Sequence, residues 1–311
     1  MCLKNLFLSE TKREMDNKGL QTVVCFGEVL WDMLPGGAKP GGAPMNVGIH
    51  LKRQGIHPWL VSRIGNDREG EKLRRFLQES KMDLRFLQTD DTLPTSQVLV
   101  HLDEDKNATY EICEPVAWDN IQPEKELNNL AKKADLVVFG SLASRNETTR
   151  NTLMQFLENS PAIRLLDVNL RPPFDSREVV EKLLSLADFV KLNDDELVEI
   201  ARWNGLKGSE SELIAWLSGF FNCPTVCVTR GADGAALFIE NRLIEHPGFK
   251  VKAVDTVGAG DSFLAGLIAR LVTGGPVENA LKFACATGAF VASQPGAVPE
   301  YSMHDIESLT G

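Results

Sequence analysis

The sequence has no apolar run long enough to cross a lipid bilayer, and its basic side chains are outnumbered by acidic ones. Lys and Arg together number 33 against 43 Asp and Glu, which gives a formal net charge of -10 at pH 7. An acidic surface repels polyanions, so this balance argues against nucleic acid or an anionic membrane as the main partner. We therefore expect a protein that acts on small molecules.

Cysteine is scarce, and the common phosphate and metal motifs are missing. The six cysteines include no C-x-x-C pair and several lie in apolar patterns, which predicts reduced, buried thiols in a cytoplasmic protein. Neither G-x-x-x-x-G-K-[ST] nor G-x-G-x-x-G occurs, which argues against a P-loop kinase and a dinucleotide-binding fold. H-E-x-x-H and paired-cysteine metal motifs are also absent, so any required metal is expected to arrive with a nucleotide.

A glycine-rich stretch at residues 254–263 (VDTVGAGDSF) is predicted to be a strand end, a tight turn and the start of a helix. Gly258 and Gly260 leave room for a ligand close to the backbone. The first amides of the helix lack partners in the helix, so they form a cradle for an anion such as phosphate. Asp261 in that cradle is either a helix cap or a base beside a reacting anion. The local chemistry leaves both interpretations open.

The N-terminal half contains a second loop before a helix. A first strand is predicted at residues 22–29, and the sequence PGGAPMNVG at 40–48 opens a helix that Gly55 closes. Asp67 is the predicted N-cap of a further helix that ends near Lys81. Residues 95–112 predict an antiparallel hairpin.

The hairpin turn also contains a pattern that resembles a calcium loop. Asp103, Asp105, Asn107 and Glu114 have the required spacing, but Ala108 stands where the sharp turn of such a loop needs glycine. The flanking residues alternate as in strands and not as in helices. We therefore interpret this turn as solvated rather than as a metal site.

From about residue 128 the sequence alternates between strands and helices, which predicts a parallel sheet covered by helices. In the strand that begins at residue 163, Asp167, Asn169 and Arg171 alternate, so they are expected to converge at its carboxyl end, where ligands of α/β sheets bind. A salt-bridged strand end is the alternative. Asn193 and Glu196 have the spacing of a capping box, which would explain them without a further role.

The sequence DTVGAGDSF resembles the C-terminal signature of the ribokinase-like family of sugar and nucleoside kinases, and the resemblance extends from about Val23 onward. It implies a three-layer α/β/α fold with a mostly parallel central sheet and a small β-sheet lid. It also implies ATP, Mg²⁺ and a sugar as ligands. In this family the aspartate of G-A-G-D is the base, and the amides of the turn form the anion hole. The resemblance therefore implies that Asp261 is the base and that the anion hole is formed by Gly258, Ala259, Gly260 and Asp261.

The resemblance assigns further residues to the two substrates. Arg171 is implied to contact the acceptor sugar or the transferring phosphate. Sugar-binding residues would be Asp32, Gly41, Gly42, Asn46, Asn169, Arg171 and Asp261. Nucleotide-binding residues would be Lys191, Asn193, Glu196, Thr229, Gly231, Gly234, Gly258 and Gly260. Asn193 and Glu196 would organise Mg²⁺ and water at the phosphates, and Asp255 would lie at a site for a monovalent cation such as K⁺.

Within this family, the Gly27-Glu28 pair, the Trp31-Asp32 run and the residues around Gly42 look more like fructokinases than ribokinases. D-Fructose is therefore the expected acceptor, with ribose or a sugar acid such as 2-keto-3-deoxygluconate as alternatives. A non-catalytic sensor of sugar or nucleotide on the same fold is the alternative from another class.

The chain is expected to consist of a loose extension at 1–21 and one kinase domain at 22–311. The lid strands would come from about 30–40 and 95–115, and a homodimer through the lid is possible.

Overall fold

The computed structural model describes residues 22–34, 36–102 and 108–310. Within them, nine strands form one large sheet and four form a small one. The large sheet has the order β13-β12-β11-β10-β9-β8-β1-β4-β5. Neighbouring strands from β11 to β5 are parallel, whereas β12 pairs antiparallel with both β11 and β13. Its strands are β1 (Val23–Phe26), β4 (Trp59–Gly65), β5 (Leu87–Asp90), β8 (Leu136–Gly140), β9 (Ile163–Asp167), β10 (Phe189–Asn193), β11 (Thr225–Thr229), β12 (Ala235–Ile239) and β13 (Arg242–His246).

Ten α-helices occur in the described residues, most of them packed on the large sheet. They are α1 (Ala43–Arg53), α2 (Arg68–Glu79), α3 (Lys125–Ala131), α4 (Glu147–Glu158), α5 (Arg177–Leu186), α6 (Asp194–Trp203), α7 (Glu210–Phe220), α8 (Ala259–Thr273), α9 (Val277–Ala292) and α10 (Met303–Thr310).

The side-chain alternation of β1 shows why helices cover both faces of the sheet. Val24 and Phe26 belong to one apolar cluster, and Val23 and Cys25 belong to another. All four are buried, as expected for a parallel strand that contacts helices on both sides. The predicted three-layer α/β/α arrangement is confirmed.

The small sheet has the order β3-β2-β6-β7. Its strands are β2 (Leu30–Leu34), β3 (Gly37–Gly41), β6 (Ser96–Leu102) and β7 (Ala108–Ile112). β6 and β7 are antiparallel, so the predicted hairpin is confirmed, and β6 joins β2 in parallel. The calcium-like positions 103–107 lie outside the described residues.

The local signals of the sequence correspond closely to several observed boundaries. Asp67 caps α2 by accepting a hydrogen bond from the Gly70 amide at 2.7 Å. Asn193 and Glu196 form a capping box at the start of α6. In contrast, the prediction of a strand before the glycine turn is wrong, because the chain forms no strand between His246 and α8. The Val254 and Asp255 amides instead donate to the Ala292 carbonyl at the end of α9.

Candidate active site

Asp261 lies in the first turn of α8 and is bound by a side chain from the other end of the chain. The Asn46 amide nitrogen Nδ2 donates to Asp261 Oδ2 at 2.8 Å. Asn46 is 4% exposed and belongs to α1, which packs along α8. The carboxylate predicted to be a base is therefore held by an amide predicted to bind sugar.

The turn before α8 leaves backbone amides directed outward. Gly258 is the N-cap with φ of 76°, a conformation that glycine adopts without strain. The amides of Gly260 and Asp261 have no acceptor within their own helix. The amide of Ala259, which the resemblance placed in the anion hole, donates instead to the Thr256 carbonyl at 3.2 Å.

A buried lysine lies behind this turn. A Cβ on Gly260 would lie 3.2 Å from Lys191 Nζ. Lys191 Nζ donates to Asp167 Oδ1 at 2.9 Å, and both side chains are almost completely buried. Burial lowers the pKa of Lys191, but the Asp167 and Asp261 carboxylates raise it more, so the pKa is above its ordinary value. The ammonium thus adds positive charge to that of the α8 N-terminus.

Three carboxyl groups around this point hold protons more tightly than usual. Burial and the nearby Asp167 carboxylate together raise the pKa of Asp261 to about 6. Burial also raises the pKa of Glu28 to about 7 and that of Asp32 to about 6. Arg171 opposes the shift in all three groups, so its guanidinium acts on the whole cluster.

The loop before α1 brings the sugar-side residues together. Gly42 has φ of 115°, and a Cβ there would lie 2.5 Å from the Glu28 carbonyl oxygen. A Cβ on Gly41 would overlap the Asp32 carboxylate. The two glycines therefore let the loop pass directly over the strand end and β2, with Asp32 beside it.

Glu28 is a functional candidate that the sequence interpretation did not include among the site residues. It is 3% exposed, and its Oε1 accepts a hydrogen bond from the Ala43 amide at 3.2 Å. Glu28 Oε2, Asn46 Oδ1 and Asp167 Oδ2 are buried without a hydrogen-bond partner in the described residues. The sequence offered two signals for Glu28: an acidic residue two positions after a buried strand, and the Gly27-Glu28 pair that resembles fructokinases.

Asp167, Asn169 and Arg171 lie at or just after the carboxyl end of β9, but the strand alternation predicted to align them is wrong. β9 ends at Asp167, and Asn169 has φ of 49°, so the alternation of a strand does not continue to Arg171. Arg171 is exposed, and its Nη1 donates to the Leu170 carbonyl at 2.9 Å. Its guanidinium nevertheless influences Asp32 and Asp261 through its charge.

The capping box at α6 uses both oxygens of Glu196. Oε2 accepts from the Asn193 amide at 2.9 Å, and Oε1 accepts from the Leu170 amide at 2.8 Å. Asn193 Oδ1 accepts in turn from the Glu196 amide at 2.8 Å. This carboxylate therefore connects β10, α6 and the segment that carries Arg171, and it has no unoccupied oxygen in this arrangement.

The predicted nucleotide turn follows β11. Thr229 ends that strand, and its hydroxyl lies 3.5 Å from the Leu192 carbonyl oxygen. A Cβ on Gly231 would meet no atom of the described residues within 4 Å, so one side of the turn is open. Gly234 instead packs against the backbone of residues 246–248, which accounts for glycine at this position by packing alone.

Asp255 connects two segments, residues 255–257 and 291–296, that the resemblance implies hold a monovalent cation. Its Oδ1 accepts from the Val257 amide at 3.1 Å, and its Oδ2 accepts from the Gly296 amide at 2.9 Å. Lys39 of the small sheet lies 3.9 Å from Oδ2. Lys39 was not predicted as a site residue.

These residues suit ATP, Mg²⁺ and a polyol. The outward amides of α8 and the ammonium of Lys191 favour phosphate oxygens, and the buried acceptor oxygens around Asp261 suit hydroxyl donors.

Within the described residues no group of three or more His, Cys, Asp or Glu side chains is arranged to hold a metal. Nor does any helix there have the length and apolar character needed to cross a membrane.

Known proteins with similar sequences are carbohydrate kinases. A sequence profile for the pfkB family carbohydrate kinase matches residues 22–302. A fructokinase from Klebsiella pneumoniae is 32% identical over 267 residues, covering 81% of this chain and 85% of that protein. A probable fructokinase-7 from Arabidopsis thaliana is 28% identical over 337 aligned residues, covering 99% of this chain and 96% of that protein.

Solved structures with the same fold agree. A double mutant of the fructokinase from Vibrio cholerae O395, in a form with bound fructose, ADP and potassium ion, has a TM-score of 0.81 and 25% identity. The match covers 95% of this chain and all (100%) of that one. The fructokinase from Xylella fastidiosa with bound ATP has a TM-score of 0.81 at 24% identity, covering 93% of this chain and 98% of that one, and supports the fold alone. The predicted ribokinase-like fold is confirmed.

Proposed function

This chain belongs to the pfkB family of carbohydrate kinases, and we propose that it transfers the γ-phosphoryl group of ATP to a hydroxyl of D-fructose. The observation that carries the proposal is the position of Asp261. Its carboxylate lies in the first turn of α8, beside the outward amides, and is held at 2.8 Å by the Asn46 side chain. A base and an anion cradle thus lie within one helical turn.

In the proposed reaction, Asp261 Oδ accepts the proton of the acceptor hydroxyl as the hydroxyl oxygen attacks the γ-phosphorus. The bond from the γ-phosphorus to the β–γ bridging oxygen breaks, and ADP leaves with that oxygen. The amides of Gly260 and Asp261 stabilise charge on the transferring group, and the guanidinium of Arg171 adds to this effect. Mg²⁺, when bound with ATP, neutralises charge on the phosphate oxygens. Because each oxygen of Glu196 already accepts a backbone hydrogen bond, we expect it to act on the ion through water or by positioning Asn193.

The acceptor is expected to lie between the β3–α1 junction at Gly41 and Gly42 and the carboxylate of Asp261. Asp32 lies beside this loop, and Asn46 connects it to the base. Carboxylate and amide oxygens bind the vicinal hydroxyls of a monosaccharide. Fructose is preferred because the relatives named above are fructokinases, one of them with fructose bound in its structure.

The direct test is ADP release with Mg·ATP and a panel of acceptors. We expect kcat/KM to be highest for D-fructose and lower for ribose, adenosine and 2-keto-3-deoxygluconate. A higher value for one of the other three would contradict the choice of fructose and leave the kinase activity intact. Binding of sugar or ATP without turnover of any acceptor would favour the sensor.

The proposal includes the organisation of the chain. We propose one kinase domain from residue 22 onward, with the small sheet as a lid over the sugar and a homodimer formed through that sheet. We also propose a cytoplasmic location, since five cysteines in the described residues are free thiols, four of them buried. Sedimentation at several protein concentrations would detect the dimer, and loss of the lid strands should abolish it.

A further inference from the structure

Arg145 is a buried guanidinium outside the reacting groups, and three segments of the chain meet on it. It follows a short 3₁₀ turn (Leu142–Ser144) after β8. Its Nε and Nη2 donate to the two oxygens of Asp119, each at 2.8 Å, and Nη2 also donates to the Cys113 carbonyl at 2.8 Å. The Arg145 and Asp119 side chains are 4% and 3% exposed. Such a two-point ion pair fixes the plane of the guanidinium.

Both faces of this plane are covered by aromatic rings. The central guanidinium carbon lies 4.1 Å from the ring centre of Trp118 and 4.5 Å from that of Phe174. Trp118 is fully buried and follows the end of the small sheet in sequence, whereas Phe174 belongs to the segment that carries Arg171. A cation between two ring faces is attracted to both, and the attraction is strongest where water is excluded.

Phe174 connects this stack to Arg171. Its amide donates to the Arg171 carbonyl at 2.7 Å, so the two residues close one turn. On the other side of Arg171, the Leu170 amide is held by Glu196 Oε1 at 2.8 Å. The exposed side chain of Arg171 is therefore carried by a segment that is fixed at both ends, by Glu196 before it and by Arg145 after it.

We propose that Arg145 is a positioning residue for Arg171. Through Phe174, it fixes the backbone turn that carries Arg171. Through the Cys113 carbonyl, it ties that turn to the residue that follows β7. The proposal rests on the proposed function, in which Arg171 faces the transferring phosphoryl group. It predicts that a substitution in the stack lowers kcat/KM only when Arg171 is present.

Phe174→Leu is the sharpest test, because it removes the ring and leaves the Arg145–Asp119 pair intact. We expect kcat/KM to fall about ten-fold, mainly through kcat, since displacement of a catalytic group by about 1 Å can reduce the rate up to about a hundred-fold. Phe174→Tyr keeps the ring face and should restore most of the activity. Arg150→Ala is the matched control: this nearby arginine donates to the Ser144 carbonyl at 3.0 Å and takes no part in the Arg145–Asp119 pair.

The decisive measurement is made in the Arg171→Ala background. There, Phe174→Leu should reduce kcat/KM less than two-fold further. The proposal would be overturned if Phe174→Leu reduced kcat/KM equally with and without Arg171, or if it caused no reduction in the wild-type background. If Arg171→Ala itself keeps wild-type turnover, the role of Arg171 is refuted, whereas absence of turnover in wild type refutes the proposed function. Arg145→Lys, checked for folding by thermal unfolding, should behave as Phe174→Leu does.

Discussion

Asn46 and Asp261 are 215 positions apart in the chain, and the side-chain amide of the first donates to the carboxylate of the second at 2.8 Å. Asn46 lies in α1, directly after the loop expected to bind sugar, and Asp261 lies in the first turn of α8. The contact therefore joins the acceptor side of the site to the proposed base. It orients one carboxylate oxygen and leaves the other for the acceptor hydroxyl.

Replacement of the proposed base should separate binding from catalysis. Asp261→Asn keeps the shape of the side chain and should fold and bind ATP, because the amides of the turn remain. Removal of a general base reduces turnover roughly a hundred- to ten-thousand-fold. Steady-state ADP release with fructose gives kcat, and calorimetry gives the affinity for ATP. A variant with turnover near that of wild type would show that Asp261 is not the base.

The same carboxylate predicts the acidic limb of the pH–rate profile. Burial and Asp167 raise the pKa of Asp261 to about 6, and a base must be deprotonated to act, so kcat/KM should rise with pH through about 6. The hydrogen bond from Asn46 lowers this pKa, so Asn46→Ala should move the limb to higher pH. Asn151→Ala, an exposed position in α4, is the control and should leave the limb in place.

Glu28 predicts a pH dependence of stability. Burial raises its pKa from an ordinary value of 4.5 to about 7, so the folded chain binds a proton that the unfolded chain releases between these values. The folded state therefore loses stability as pH rises from 4.5 to 7, by about 3 kcal/mol for a shift of this size. Glu28→Gln keeps the contact with the Ala43 amide and cannot ionise.

The free energy of unfolding of Glu28→Gln, measured in urea, should thus exceed that of wild type increasingly from pH 5 to pH 8. Glu158→Gln, on the exposed surface of α4, is the matched control. If the difference between Glu28→Gln and wild type does not change with pH, Glu28 does not titrate in this range.

Local features of this fold could be predicted because each depends on a few neighbouring residues. The N-cap of α2 at Asp67 and the capping box of Asn193 and Glu196 need only a spacing of three residues. The hairpin of β6 and β7 follows from alternation of apolar side chains. The glycine turn was recognisable for the same reason.

Features that depend on distant segments were missed. The strand β9 was predicted to continue to Arg171, but it ends at Asp167. Alternation alone implies an extended backbone, whereas Asn169 turns the chain with φ of 49°. The strand before α8 does not form, because the Ala292 carbonyl takes the amides that a strand would pair. Glu28 is buried where the start of α1 packs on it, and its Oε1 accepts from the amide of Ala43, 15 residues further along the chain.

A monovalent cation such as K⁺ should raise activity modestly. The two segments expected to hold it are joined by Asp255, which binds the amides of Val257 and Gly296. Beyond the second segment, Glu300 Oε1 pairs with Arg53 Nη2 at 2.7 Å. Initial rates in KCl, NaCl and a bulky organic chloride at equal ionic strength test this expectation. Equal rates in all three would remove the cation from the proposal.

Asp32 should determine the affinity for the acceptor and have little effect on ATP. Its carboxylate lies against Gly41 at the end of β3, where the charges of Arg171 and Asp255 act on it. Burial raises its pKa to about 6, so at pH 8 it is ionised and can accept two sugar hydroxyls. Loss of a hydrogen bond to a charged group costs about 1.5–3 kcal/mol, or roughly ten- to a hundred-and-fifty-fold in affinity.

Asp32→Ala at pH 8 should therefore raise KM for fructose by that factor, while KM for Mg·ATP changes less than about three-fold. Asp83→Ala removes an exposed carboxylate that is not among the site residues, and it controls for the change in net charge. The distinction matters because Asp261 lies at both the sugar side, through Asn46, and the phosphate side, beside the α8 amides. Asp32 lies at the sugar side alone. A parallel rise in both KM values would mean that Asp32 supports the fold of the whole site, and sugar recognition would then have to come from Asn46 and Glu28.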